Sequence, residues 1–113
     1  MRNMSFSLTT PQFKSRTKTV TRRIGWGFLK PGDMVMGVER AMGLKKGEKI
    51  VQLGPIRIKS VTKERVFDIY DHPDDCRKEG FPDFRPSQFI NFFCKEMGVE
   101  DTAIVNRIEF EYL

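Results

Sequence analysis

Residues 16–23 read RTKTVTRR, four basic residues and three threonines around one aliphatic side chain, Val20. A strand in a soluble protein normally offers apolar side chains to at least one face, and this stretch has almost none to offer. Its β-branched residues, Thr17, Thr19, Val20 and Thr21, nonetheless favour extended backbone, so the pattern predicts a strand over 16–23. On an ideal strand Thr19, Thr21 and Arg23 share one face and Lys18, Val20 and Arg22 the other. Such a composition serves two purposes. It protects an exposed sheet edge from aggregation, or it supplies donors for phosphate groups and base edges. A hydroxyl beside an amine is also the arrangement of an activated nucleophile.

Outward from this stretch the chain is rich in strands. Ser5–Thr9 (SFSLT) alternates as a short first strand, and Thr10-Pro11 marks a helix start with Thr10 as N-cap. After 16–23, the Gly- and Pro-rich run IGWGFLKPGD connects to a strand over 34–40, and Trp26, Phe28 and Leu29 are expected to fold back on the core. A strand over 50–53 is interrupted at Gly54-Pro55. Ile56 and Ile58 then alternate with Arg57 and Lys59 in a strand reaching about Phe67. DHPDDCRKEGFPDF, residues 71–84, has no period and reads as a long loop of the kind that often carries function. Phe89, Phe93 and Met97 recur at helical spacing over 86–97, with Gly98 as the stop. A last strand, NRIEFEYL, turns Ile108, Phe110 and Tyr112 to one face. Five or six strands with one good helix and no βαβ rhythm predict an α+β, mostly β domain. The expected form is a small β-barrel of five to six strands, one main helix in the C-terminal half and short flanking helices.

The length, 113 residues, suits one domain over 1–113. Charge is uneven. Residues 1–50 hold 11 Lys/Arg against 3 Asp/Glu, and residues 51–113 hold 9 against 12. A basic half beside an acidic one suggests a surface facing a polyanion, either nucleic acid or a phosphorylated ligand. No apolar run approaches a membrane span and no signal-like segment opens the chain, so no membrane association and a cytoplasmic location are expected. The two cysteines, Cys76 and Cys94, do not make a disulfide framework. His72 and Cys76 are too few for a zinc site, and no metal or cofactor is expected. Cys94 falls on the apolar face of the helix.

Glu79, in KEGFPDF, is a carboxylate on an apolar loop, with Phe81 and Phe84 available to seat it. It suits two roles: acceptor for a base amino group, or ion-pair partner of Arg22 or Arg23. Arg57 and Lys59 are candidate rim contacts to phosphate. The run GWGFL offers a third possibility, an exposed anchor for a protein partner.

TKTVTRR, then FLKPGDMVMGV, then KEGFP ahead of a helix, occur in the order seen in ASCH domains of the PUA-like superfamily, which this sequence resembles over nearly its whole length. The family signature is Gly, any residue, Lys, four residues, Arg. Lys18 and Arg23 match it, while Arg16 stands where the Gly belongs. If that Gly serves a positive-φ turn, Arg16 costs about 1 kcal/mol or more. The resemblance implies a β-barrel whose cleft binds RNA or a nucleoside, lined here by Lys18, Thr19, Thr21, Arg22, Arg23 and Glu79. Small members of the family include amidohydrolases that deacylate N4-acetylcytidine. Their catalytic set falls on Lys18 as base, Thr21 as nucleophile and Glu79 as acid. On a regular strand Lys18 and Thr21 would point apart, so that set requires Lys18 to precede the strand or a bulge to intervene.

Overall fold

The computed structural model describes all 113 residues. Its strands are β1 (Arg2–Ser5), β2 (Val20–Arg23), β3 (Met34–Val38), β4 (Gln52–Arg65) and β5 (Ile104–Tyr112). Its helices are α1 (Thr10–Lys14), a 3-10 helix over Val66–Asp71, α2 (Asp75–Lys78) and α3 (Pro86–Met97). The strands form one curled sheet in the order β1-β3-β4-β5-β2, parallel only between β1 and β3. The expected barrel does not close. β1 and β2 are free edges, and the α+β, mostly β character holds with a half-barrel in place of a barrel.

The long C-terminal strands are the frame. β4 and β5 pair antiparallel from Ile56↔Tyr112 to Arg65↔Ile104 with a register shift between Ile58 and Ser60. Gly54-Pro55 does not end β4 as expected. Gly54 takes φ +146° and lets the strand run on through Pro55. Alternation in β5 turns Ile108 and Phe110 into the curl, where Met4, Phe6, Phe13, Leu29, Val35, Ile56 and Ile58 complete the first core. Val105, on the other face, joins Val66, Ile69, Phe89, Ile90 and Phe93 in a second core beneath α3. Gly98 caps α3 in the left-handed conformation, as the sequence predicts.

Four local readings change. The first strand lies earlier, at Arg2–Ser5, because its parallel register with β3 ends at Ser5↔Val38; Leu8 is exposed. The N-cap of α1 is Thr9, one residue before Thr10. The stretch 71–84 contains the end of the 3-10 helix and all of α2, so it is mostly structured turn rather than loop. Of the GWGFL side chains, Leu29 is buried and Trp26 leans on the core, but Phe28 is 55% exposed.

The quoted stretch is extended only from Val20. Before it the chain turns out of α1, and Arg16 takes φ +61°, the left-handed conformation that a glycine adopts freely. Its guanidinium lies 5.5 Å from the centre of the Tyr112 ring, a partial compensation. Arg16→Gly is therefore expected to stabilise the fold by about 0.5–1 kcal/mol, the relief of left-handed strain less the greater freedom of glycine in the unfolded chain. Urea denaturation of the two proteins measures this, and a lower midpoint for the variant would show that the Tyr112 contact outweighs the strain.

Candidate functional site

Because the sheet stops short of closing, a seam remains between its two edges. A cavity of about 110 Å³ opens there, lined by Ser5–Thr9 at the end of β1, by Lys18 and Thr21–Arg23, by Glu79, and by aromatic side chains under α3. An apolar cavity of roughly 150 Å³ accepts one benzene ring, so this space suits a single aromatic ring. Phe6, Phe81, Phe89, Phe92 and Phe93 form the apolar wall, and the polar wall is entirely charged or hydroxylic.

Lys18 reaches the cavity because it precedes β2. The segment 17–19 leaves α1 with Thr17 and Lys18 amides both donating to the Gln12 carbonyl, and the Lys18 carbonyl accepts from the Tyr112 hydroxyl. Freed from strand alternation, Lys18 and Thr21 line the same cavity. Glu79 comes from the end of α2. Gly80 beside it takes φ +101°, and a Cβ there would stand 2.9 Å from Gln12 Cγ. A side chain at position 80 would thus push α1 and the Glu79 turn apart.

The side chains form a buried network. Lys18 Nζ donates to Glu79 Oε1 and to the Glu79 carbonyl, both at 2.8 Å. Arg22 is the hub. Its NH1 donates to Glu79 Oε2 at 3.0 Å, its NH2 to Asp75 Oδ2 at 2.6 Å and its Nε to Glu64 Oε1 at 2.7 Å. Arg107, the cross-strand neighbour of Arg22, forks onto both Asp75 oxygens. Two like charges side by side on adjacent strands repel, and Asp75 between them removes that conflict. His72 Nε2 meets Glu64 Oε2 at 3.1 Å at the outer end.

Burial favours the neutral amine of Lys18 and lowers its pKa, although Glu79 pulls the other way. Neighbouring Arg23 and Arg22 lower it further, but desolvation dominates. Burial also disfavours the Arg22 charge, yet Glu79, Asp75 and Glu64 outweigh it and raise its pKa. Asp75 would be raised by burial, but hydrogen bonds from Arg107 and Arg22 hold it at about 2.

Arg23 differs from these. It is half-buried, donates from Nε to Thr21 Oγ1 at 3.0 Å and stacks 4.9 Å from the centre of the Phe6 ring, but has no carboxylate within salt-bridge distance. Burial lowers it to about 10, with Glu79 offsetting only part. An arginine lining a cavity without an acid is a ready anion or carbonyl receptor.

Of the residues singled out from sequence, Lys18, Thr21, Arg22, Arg23 and Glu79 meet at this cavity. Thr19, Arg57 and Lys59 do not. Thr19 is held by backbone bonds to Lys78 and Phe110, Arg57 pairs with Glu111 on the outer face, and Lys59 faces solvent. Sequence reading missed Asp75, Glu64 and Arg107. No cluster of three His, Cys, Asp or Glu side chains is close enough to hold a metal ion, and no helix is long and apolar enough to cross a membrane.

No family model matches the sequence, and no curated protein matches it. Among solved structures, the chain is similar to the crystal structure of an ASCH domain from Lactobacillus crispatus JV V101. The two share 16% identity and superpose with a TM-score of 0.54, over 98% of this chain and 78% of the other. The agreement extends over nearly the whole chain, and this chain has the fold of an ASCH domain.

Proposed function

We propose that the seam cavity binds the base of a nucleoside or of an RNA nucleotide. One observation carries this reading: the guanidinium of Arg23 lines a one-ring aromatic cavity without a carboxylate of its own. A base held there would lie against the phenylalanine wall, a sequence-tolerant mode of contact worth about 1–3 kcal/mol per base. Arg23 would donate to a ring carbonyl, and Glu79 would accept from an exocyclic amino group. Arg23→Glu is expected to abolish binding of cytidine and of a short cytidine-containing RNA in calorimetric titration, with an unchanged circular dichroism spectrum. Unchanged affinity would remove the cavity as the binding site.

A second reading is favoured by the position of Lys18. Lying outside β2, it shares the cavity with Thr21 and hydrogen-bonds Glu79, the set that the ASCH resemblance assigns to deacylation of N4-acetylcytidine. Transfer of one proton along the 2.8 Å bond from Lys18 to Glu79 converts the ion pair into a neutral amine and a carboxylic acid. The amine then takes the Thr21 proton as Oγ1 attacks the acetyl carbon. The C–N4 bond breaks as Glu79 protonates the departing amine, leaving an acetyl ester on Thr21 that water hydrolyses. The low-dielectric burial of the pair supports this exchange, since separated charges are least favoured there.

A further inference from the structure

A second groove of about 400 Å³ adjoins the cavity, shares Arg22, Arg23 and Met97 with it, and continues past Arg2, Trp26 and Phe28. Its composition is unusual for a surface. Arg2 and Arg23 both border it, neither has a salt bridge, and no acidic residue lines it. The other arginines of the chain are mostly paired: Arg22, which also lines the groove, and Arg40, Arg57, Arg77 and Arg107 all meet carboxylates.

The apolar part is also left uncovered. Phe28 is 55% exposed, Ile24 48% and Met97 43%, and all three sit on this groove. Trp26 and Phe28 lie with ring centres 5.5 Å apart, and the Arg2 guanidinium covers one ring at 4.7 Å from the Phe28 centre. Trp26 is held in position. Its φ is +71°, a conformation costly for a bulky side chain, and the flanking Gly25 carbonyl is pinned by Asn106 Nδ2 at 2.8 Å. Aromatic faces beside unpaired guanidinium groups match a nucleotide in both its parts: base on ring, phosphate on arginine.

We infer that this groove is a second nucleotide subsite, in which Arg2 and Arg23 receive the phosphodiester and Trp26–Phe28 stacks the neighbouring base, so that the ligand is chain-linked RNA rather than a free nucleoside. The inference rests on the reading of the cavity as a base site, and it assigns the linkage to the boundary where Arg23 belongs to both spaces. A protein segment would also find apolar contacts here, but the absence of any acid to pair with a peptide's basic side chains, beside two free arginines, favours an anionic polymer.

The test compares cytidine, cytidine 5′-monophosphate and the dinucleotides ApC and CpA by calorimetry and by Trp26 fluorescence, with Phe28→Ala and Arg2→Gln alongside. At least one dinucleotide is expected to bind about tenfold or more tightly than cytidine and to quench Trp26, the chain's single tryptophan. Both variants are expected to lose that gain while keeping the wild-type affinity for cytidine. Equal affinity for cytidine and both dinucleotides, with no quenching, would overturn the subsite and leave the cavity reading standing. Failure of every probe to bind would overturn both. Tight dinucleotide binding that quenches Trp26, is lost in Phe28→Ala and is indifferent to Arg23→Glu would keep an aromatic base site but overturn the shared-arginine geometry.

Discussion

Arg22→Met is expected to lower folding stability by about 3–5 kcal/mol, the usual cost of removing one partner from a buried charge network. The side chain of Arg22 is fully buried and satisfies one oxygen on each of Glu79, Asp75 and Glu64. Methionine keeps the volume and the contact with Phe89 but returns nothing to those oxygens. Each carboxylate retains a second partner, Lys18, Arg107 or His72, so the variant is expected to fold, with a lower urea midpoint. The deficit should depend on pH in a stated direction. Asp75 titrates at about 2 in the folded protein, below the ordinary value near 3.9, so it adds stability above about pH 4 and loses that contribution as pH falls toward 2. Without Arg22 the depression is smaller and less is lost in that window. Wild type and variant should therefore differ most at neutral pH and converge between about pH 4 and 2. A difference under 1 kcal/mol at pH 7 would mean that the three carboxylates find water or other partners, and that the hub is not a stability element.

This network also explains what the sequence made legible and what it hid. The helix over 86–97 and the alternation of Ile108, Phe110 and Tyr112 were readable because a period repeats over many residues and a core enforces most of its positions, although Met97, the last of the helical series, is 43% exposed. The barrel was not readable as open, since closure depends on whether two four-residue edges pair, and no local pattern encodes that. In RTKTVTRR, β-propensity extended the strand four residues too early. The left-handed turn at Arg16 overrides it, and the missing glycine removed the one local signal for that turn. At the site, Lys18, Thr21 and Glu79 were found through the family pattern, and Arg22 and Arg23 through their charge. Asp75, Glu64 and Arg107 were hidden for a different reason. Each sits in a position that alternation or loop composition marks as solvated, and the packing of α2 and the 3-10 helix onto that face buries Asp75 and leaves the Glu64 and Arg107 side chains only 7% and 12% exposed. The available signal was the acid-rich stretch 64–79 facing a basic strand that needed partners, a complementarity with no register attached.

Thr21→Ala is expected to reduce turnover of N4-acetylcytidine by about 10³-fold or more while leaving the affinity for cytidine within about threefold of wild type. Alanine leaves the other lining side chains in place, whereas the Oγ1 of Thr21 is the only atom of that side chain able to attack a carbonyl, and no other hydroxyl shares its hydrogen bond to Arg23. Thr21→Ser should retain measurable activity, because the hydroxyl survives. The rate should also depend on pH. Reaction needs the one proton that the Lys18–Glu79 pair shares, and burial lowers the pKa of Lys18 below the ordinary 10.5, so activity stays level while the pair keeps that proton and falls as pH climbs through the lowered value. Lys18→Met should abolish the rate and with it the pH dependence. Activity in Thr21→Ala above one tenth of wild type would exclude Thr21 as nucleophile, and a rate that keeps rising beyond the ordinary lysine range would exclude the shared proton of the Lys18–Glu79 pair as the acid. If the wild-type protein releases no cytidine at all, the same residues keep their geometry but lose their chemistry. The Lys18–Glu79 ion pair would then serve the proposed recognition, Glu79 accepting from a base amino group and Arg22 fixing its orientation, and the seam between β1 and β2 would be a place where a base is held and not cut.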